Sequence, residues 1–182
     1  MPLTFITMAS KNFRKLTPEL DTKRTKRTGL KIEYYQPRPD HLPSGGDCAV
    51  RSACWATGES YQDVLAEMQY RTNVLKRRHY DILKHGTPRK VIKDFYHWRG
   101  WTWVGVKGQI VTKTEKTCFG SYRSTKRANV LFKAENLPKQ LCVAITTTHA
   151  VAVEDHVVLD NHDSRGDRSS VLEGYFIKKS RG

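Results

Sequence analysis

The amino-acid sequence predicts an α+β fold, with helices in the first half of the chain and strands in the second. Between residues 48 and 99, apolar side chains recur at the spacing of amphipathic helices. From residue 101 onwards they alternate or form short apolar runs, which is typical of strands. This segregation favours N-terminal helices packed on a C-terminal antiparallel sheet.

Residues 1–43 show little apolar periodicity and much positive charge. The basic cluster at 23–27 is typical of flexible arms, and prolines at 37, 39 and 43 disfavour helix. We expect an extended basic arm with one short strand at Lys31–Tyr35. Residues 44–182 are expected to form the folded domain.

The first helix is predicted to begin near Cys48. Either Ser44 or Asp47 can cap its start, and Gly58 suits the left-handed backbone of its end. Small apolar residues supply one face of this helix: Ala49, Val50, Ala53 and Ala56.

Two further helices follow. Ser60 and Asp63 form a capping box with aspartate in place of glutamate, and Thr87, Pro88 and Gly100 mark the start and end of the last helix. Their core-facing positions are Tyr61, Val64, Leu65, Met68, Val91, Ile92, Phe95 and Trp98.

Five strands are predicted in the second half, and residues 107–129 are expected to form a long loop or a hairpin. Residues 154–156 suit a tight connection between two of the strands. Trp98, Trp101 and Trp103 lie among basic residues and could stack nucleic-acid bases, but core packing explains them better. The predicted strands are 101–106, 141–146, 148–154, 157–161 and 174–178.

Composition restricts the class of protein. The chain has 182 residues and a net charge of +14, which implies attraction to nucleic acid or another polyanion through the basic arm. Its mean hydropathy is −0.63, and its apolar runs are too short to cross a bilayer. No signal peptide is recognised. The four cysteines lack metal-site spacing, so no metal or organic cofactor is expected.

Cys48 and His149 are the candidate catalytic residues. A helix start stabilises a thiolate and offers free amides to an oxyanion, and the glycines before Cys48, including Gly46, permit close approach of a substrate. A histidine beside an apolar strand can act as the base.

A short turn between two strands brings His149 near Asp160, which could orient the imidazole. A shift of one residue in register would present Asn161 instead, and Asp163 is a weaker candidate. The polar stretch 160–164 can equally be a surface turn.

Residues 47–61 and 149–160 resemble papain-like cysteine peptidases, and more closely small cysteine-peptidase-like proteins of bacteriophages and bacteria. The likeness covers about residues 44–70 and 140–162. It implies a papain-like fold with Cys48 as nucleophile, His149 as base and Asp160 as orienter.

Papain-type enzymes carry an oxyanion-hole glutamine six residues before the cysteine, where this chain has Leu42. Ser44, Asp47 or backbone amides near Cys48 would have to replace it.

The resemblance implies a thiol-dependent peptidase or amidase that acts on a protein or peptide, in the host cytoplasm or the virion if the chain is phage-encoded. A second reading is a catalytically weak scaffold that binds nucleic acid or a protein partner. We expect a cytoplasmic protein with no membrane partner.

Overall fold

The computed structural model describes residues 18–42, 45–106, 108, 110–117, 120–166 and 171–178. These residues form five α-helices and eight strands. The helices are Pro18–Thr28 (α1), Cys48–Thr57 (α2), Tyr61–Lys76 (α3), Ile82–His85 (α4) and Arg89–Trp98 (α5). The strands are Lys31–Tyr34 (β1), Trp101–Gly105 (β2), Ile110–Thr117 (β3), Gly120–Arg127 (β4), Cys142–Thr146 (β5), Ala150–Glu154 (β6), Val157–Asp160 (β7) and Leu172–Lys178 (β8).

Six strands form one mixed sheet in the order β1-β7-β6-β5-β8-β2, and β3 pairs with β4 as a separate hairpin. The α+β class is therefore confirmed, and of the two possibilities expected for residues 107–129, a long loop or a hairpin, the structure has the hairpin. The sheet differs from the expected C-terminal antiparallel one, because β1 from the N-terminal segment lies parallel to β7.

The predicted extended arm contains the helix α1, which the sequence did not indicate. Two contacts tie α1 to the segment after β7: Arg24 forms an ion pair with Asp163 at 2.9 Å, and Arg165 donates to the hydroxyl of Thr25 at 2.9 Å. Arg165 is fully buried and also donates to the carbonyl of Leu30 at 2.8 Å. Residues 18–42 thus contribute both a helix and an edge strand, while residues 1–17 of the predicted arm lie outside the described residues.

Apolar side chains cover both faces of the sheet. On β5, Val143 and Ile145 pack in the cluster that joins the sheet to α2, α3 and α5, while Cys142 and Ala144 belong to the cluster on the opposite face. A strand buried on both sides needs a continuous apolar run rather than an alternating one. Residues 142–145 are such a run, and all four are buried.

The predicted helix signals are largely confirmed. Gly58 has a φ of 74° and ends α2 with a hydrogen bond to the carbonyl of Cys54 at 2.9 Å. Ser60 accepts from the amide of Asp63 at 3.2 Å and caps α3. Trp98 was expected in the core, yet it is 74% exposed as the last residue of α5, whereas Trp101 is buried.

The tight connection predicted at residues 154–156 is present between β6 and β7, and it is one residue shorter. Glu154 pairs with Val157, so only Asp155 and His156 connect the strands. Both have positive φ, 45° and 62°, as a two-residue turn matched to the twist of a hairpin requires. This turn determines which residues of β6 and β7 meet at the other end of the strands. No helix in the described part of the chain has the length and apolarity needed to cross a bilayer.

Candidate active site

Cys48 is the first residue of α2, as predicted. The helix packs against β6, which places the half-buried sulfur beside the start of that strand. The backbone amide of Ala150 and the imidazole of His149 both lie close enough to the sulfur to lower the pKa of the thiol. The structure therefore brings together a thiol and an imidazole that lie a hundred residues apart in the chain.

His149 lies in the short connection between β5 and β6, one residue before β6. Its carbonyl accepts from the amide of Thr146 at 2.8 Å, and its own amide donates to the hydroxyl of Thr146 at 3.1 Å. These bonds hold the backbone of the turn, so the imidazole stands at the end of the sheet next to α2.

Asp160, the last residue of β7, bonds to the same imidazole. Its Oδ2 lies 2.6 Å from Nε2 of His149, which leaves Nδ1 as the nitrogen for the thiol of Cys48. Continuing the register from the Ala152–Leu159 pair sets His162 opposite His149, so Asp160 contacts His149 diagonally.

The charges of this triad are coupled. Burial opposes ionisation of Cys48, but the hydrogen bond and positive charge of His149, with help from Ala150 and Arg51, outweigh it and lower the pKa of the thiol. Burial also disfavours the imidazolium, yet Asp160 and Cys48 raise the pKa of His149 to about 9. Both shifts favour a thiolate–imidazolium pair relative to the isolated thiol and imidazole.

Arg51 is a buried site residue that the sequence reasoning missed. It lies one helical turn after Cys48, forms a short ion pair with Asp47, and donates from Nη2 to Oδ1 of Asp160 at 3.1 Å. The amide of Asn161 donates to the same Oδ1 at 2.8 Å. The available signal was a charged residue within the small, apolar stretch 49–53, because a lone buried arginine requires an anionic partner.

Asp47 does not have the role predicted for it. It stands at the N-cap position, but its side chain makes no capping hydrogen bond. Its fully buried carboxylate instead bonds to Arg51, to the hydroxyl of Tyr61 at 2.9 Å and to Arg38 at 3.5 Å. Asp47 therefore anchors Arg51 beneath the site and does not face a substrate.

Gly46 was expected to let a substrate approach, but the structure uses it for packing. Its amide donates to the carbonyl of Leu83 at 2.6 Å, and a Cβ here would lie 2.6 Å from the nitrogen of Gly86. Leu42 packs against the helical core, and Ser44 lies outside the described residues. The unpaired amides of the first turn of α2 remain as candidate oxyanion donors.

We expect Gly46→Ala to destabilise the fold by about 1–3 kcal/mol, because the backbone at Gly86 must move to admit a methyl group. Urea unfolding followed by circular dichroism measures this change. Gly58→Ala is the comparison, since a Cβ there meets nothing within 4 Å and tests only the positive φ of 74°. A Gly46→Ala variant as stable as the wild type would contradict the close packing.

Asn161 and Asp163, the alternative orienters, do not contact His149. The side chain of Asn161 bonds to Nδ1 of His162 at 2.9 Å, and both carboxylate oxygens of Asp163 bond to Arg165 at 2.9 Å. Asn161 supports Asp160 only through its backbone amide.

His162 is a further site residue that the sequence did not indicate. Its ring stands edge-on to that of His149, with centroids 5.0 Å apart. Among the described residues, one group could hold a metal ion: His149, Asp160 and His162, whose ligand atoms lie within 4.8 Å of one another. The hydrogen bond between His149 and Asp160 already occupies two of these ligands.

Two grooves adjoin at His149. The first has a volume of about 280 Å³ and is lined by Cys48 and by residues of α3, α4, α5 and the β5–β6 turn. The second has a volume of about 350 Å³ and includes Phe132, His162 and Ser164 in its wall. Both include Thr146, Thr148 and His149, so His149 lies where the two grooves meet.

The other described cysteines differ from Cys48. Cys54 and Cys142 are buried, and burial raises the pKa of each thiol to about 12. Both behave as small apolar core residues, as predicted. Cys118 lies outside the described residues.

Fold and site together define an α+β protein that carries a hydrogen-bonded Cys–His–Asp arrangement at the start of a helix. Comparison with protein-family models, curated proteins and solved structures finds no match to this chain.

Proposed function

We propose that this protein is a papain-like thiol hydrolase that cleaves a peptide or other amide bond. The observation that carries the proposal is the continuous contact from Cys48 through His149 to Asp160. A thiolate paired with an imidazolium and a buried carboxylate is the arrangement that acyl transfer to sulfur requires.

The reaction has two stages. The Cys48 thiolate attacks the carbonyl carbon, forming a C–S bond, and the C–N bond breaks as the amine leaves with a proton from His149. Water then attacks the thioester and transfers a proton to His149, while the Cys48 thiolate departs with the electron pair of the C–S bond. Amides in the first turn of α2 are suited to stabilise the oxyanion in both stages.

Two residues have positioning roles in this proposal. Asp160 holds Nε2 of His149, so that Nδ1 faces the thiol. Arg51 holds Asp160 and, through Asp47, is itself held by the helical layer. The two adjoining grooves support an extended substrate that continues on both sides of the imidazole.

Alkylation by iodoacetamide, followed site by site with mass spectrometry, tests the reactive pair. At pH 7 we expect Cys48 to react at least about tenfold faster than Cys54 or Cys142, because only its thiol has a lowered pKa. The rate at Cys48 should fall in His149→Ala at this pH. Equal rates at the three cysteines would contradict the ion pair.

Hydrolysis of casein and of a fluorogenic peptide pool tests turnover. Activity should decrease as the pH rises through about 9, where His149 loses the proton that the leaving amine needs. A chelator should leave the rate unchanged, and a chelator-sensitive rate would favour a metal at His149, Asp160 and His162. Binding of polyanions without any turnover would favour the non-catalytic scaffold, for which the net charge of +14 is the supporting observation.

A further inference from the structure

The groove that contains Cys48 has a positively charged wall. The C-terminal end of α3 and the short helix α4 form this wall, and Lys76 and His85 reach the groove itself. Lys76 lines the groove, and three more exposed cations lie close to lining residues in the sequence; we call the four the basic rim: Lys76, Arg77, Arg78 and Lys84. Among the described residues that line the groove, none is an aspartate or a glutamate.

Little negative charge offsets the rim. The segment from residue 76 to residue 85 contains one carboxylate, Asp81. Its Oδ1 accepts from the amides of Leu83 at 2.9 Å and Lys84 at 3.3 Å, so it caps α4. No ion pair joins a rim cation to a carboxylate in the part of the chain that the structure describes. Cations so close in sequence and without a carboxylate partner repel one another, and an anionic ligand relieves that repulsion.

Other cations at this groove are already engaged. Arg89 forms an ion pair with Glu173 and donates to the carbonyls of Thr146 at 3.2 Å and Thr147 at 2.9 Å. It therefore braces the turn that carries His149. Lys76 differs, because its ammonium lies 5.3 Å from the ring centroid of Tyr80, a contact that places the charge at the groove without neutralising it.

We infer that the substrate of the proposed hydrolase is an acidic peptide segment, with aspartate or glutamate side chains bound along the basic rim next to the scissile bond. This inference rests on the proposed function. A peptide fits better than a nucleic acid because the groove leads to the Cys48 thiol. This thiol attacks a carbonyl carbon, and a sugar-phosphate backbone contains none. Tyr80, Ile92 and Ile145 give the same groove an apolar floor for the uncharged parts of the chain.

A pair of fluorogenic peptides tests the specificity. One carries glutamates on both sides of the cleaved bond, and its match carries glutamines of the same shape. We expect kcat/KM to be about tenfold higher for the glutamate peptide, with the preference lost at 0.5 M salt. Lys76→Glu should reduce the ratio to about one or below. Equal hydrolysis of both peptides by the wild type would overturn the inference and leave the hydrolase proposal intact.

Lys139→Glu is the matched control, because it makes the same change in net charge at an exposed site. The carbonyl of Lys139 accepts from the amide of Asp155, so Lys139 lies at the opposite end of β6 from His149. The ratio between the two peptides should keep its wild-type value in this variant. A ratio that falls equally in both variants would mean that net charge, and not the rim, attracts the peptide, which overturns the inference.

Binding separates failure of the inference from failure of the hydrolase proposal. Cys48→Ala should bind a fluorescein-labelled glutamate-rich peptide, measured by anisotropy, and the added Lys76→Glu change should weaken binding by about tenfold. If the peptide binds in this way but the wild type does not hydrolyse it, the acidic-peptide site is retained and catalysis is rejected. Stronger binding of a single-stranded oligonucleotide than of the peptide, with the same dependence on Lys76, would overturn the inference in favour of a nucleic acid.

Discussion

Cys48→Ala is expected to lower the rate of peptide hydrolysis by about 10⁴-fold or more, because it removes the nucleophile that forms the acyl-enzyme. Cys54 and Cys142 cannot replace it, since burial raises the pKa of each thiol to about 12. The measurement is kcat/KM for a fluorogenic peptide, with circular dichroism to confirm that the variant folds.

Cys142→Ala is the control for this prediction. It removes a thiol of the same size from the opposite face of the sheet, away from the helical layer that carries Cys48. We expect a small loss of stability of about 1 kcal/mol and a rate close to that of the wild type. Hydrolysis that survives in Cys48→Ala at more than one hundredth of the wild-type rate would reject Cys48 as the nucleophile.

Arg51→Met should destabilise the fold by about 3–5 kcal/mol at pH 7, because two buried carboxylates lose the cation between them. Asp47 is fully buried and the side chain of Asp160 is 3% exposed, so water cannot replace the guanidinium. Urea unfolding measures the loss. We also expect the surviving folded fraction to hydrolyse peptides more slowly, since Asp160 loses its contact with Arg51.

The pH dependence of this loss identifies its cause. Burial opposes ionisation of Asp160, yet the hydrogen bond from His149 and the positive charges of His149, His162 and Arg51 lower its pKa below the ordinary value of 3.8. A lowered pKa stabilises the fold above the ordinary value, and this contribution disappears as the pH falls through the lowered one. The loss of unfolding free energy in Arg51→Met should therefore be largest at pH 7. It should decrease at acid pH, where Asp160 becomes neutral.

Arg71→Met is the matched comparison. Arg71 pairs with Glu67 one turn earlier on α3, but both side chains are partly exposed to solvent. The expected cost is below about 1 kcal/mol. If Arg51→Met cost no more than Arg71→Met, the buried network would not hold the site together.

Much of the helical layer could be predicted from local signals. The hydroxyl of Ser60 and the left-handed backbone of Gly58 act on their immediate neighbours, so the C-cap of α2 and the N-cap of α3 follow from short stretches of sequence. Trp98 was misplaced because apolar spacing identifies the face of a helix and does not show where along its length the core ends.

The N-terminal segment could be predicted only in part. Charge and prolines suggested an extended arm with one short strand at Lys31–Tyr35. That strand is present as β1, whereas α1 was not predicted. Both are held by distant partners: Asp163 for Arg24 and Asp160 for the amide of Tyr35, at 2.9 Å each. The stabilising contacts of this segment come from residues more than a hundred positions away, which local patterns do not encode.

Only part of the candidate site could be predicted from the sequence. Cys48, His149 and Asp160 were named because residue types and flanking patterns suit acyl-transfer chemistry, and the structure places them in contact. Arg51 and His162 were missed. Gly46 and Asp47 were given roles toward a substrate, whereas their contacts are with Leu83, Gly86, Arg51 and Tyr61.

The sequence by itself determined the start of α2 at Cys48, the two-residue turn at Asp155 and His156, and the apolar run of β5. Each depends on the backbone preferences or the hydrophobicity of residues adjacent in the sequence. Only the tertiary structure decided that β1 enters the sheet parallel to β7, that His149 meets Asp160 diagonally, and that Arg51 joins Asp160 across 109 positions of chain. Such contacts form only when packing sets the register of strands and excludes water from charged groups, and neither condition is a property of any short segment.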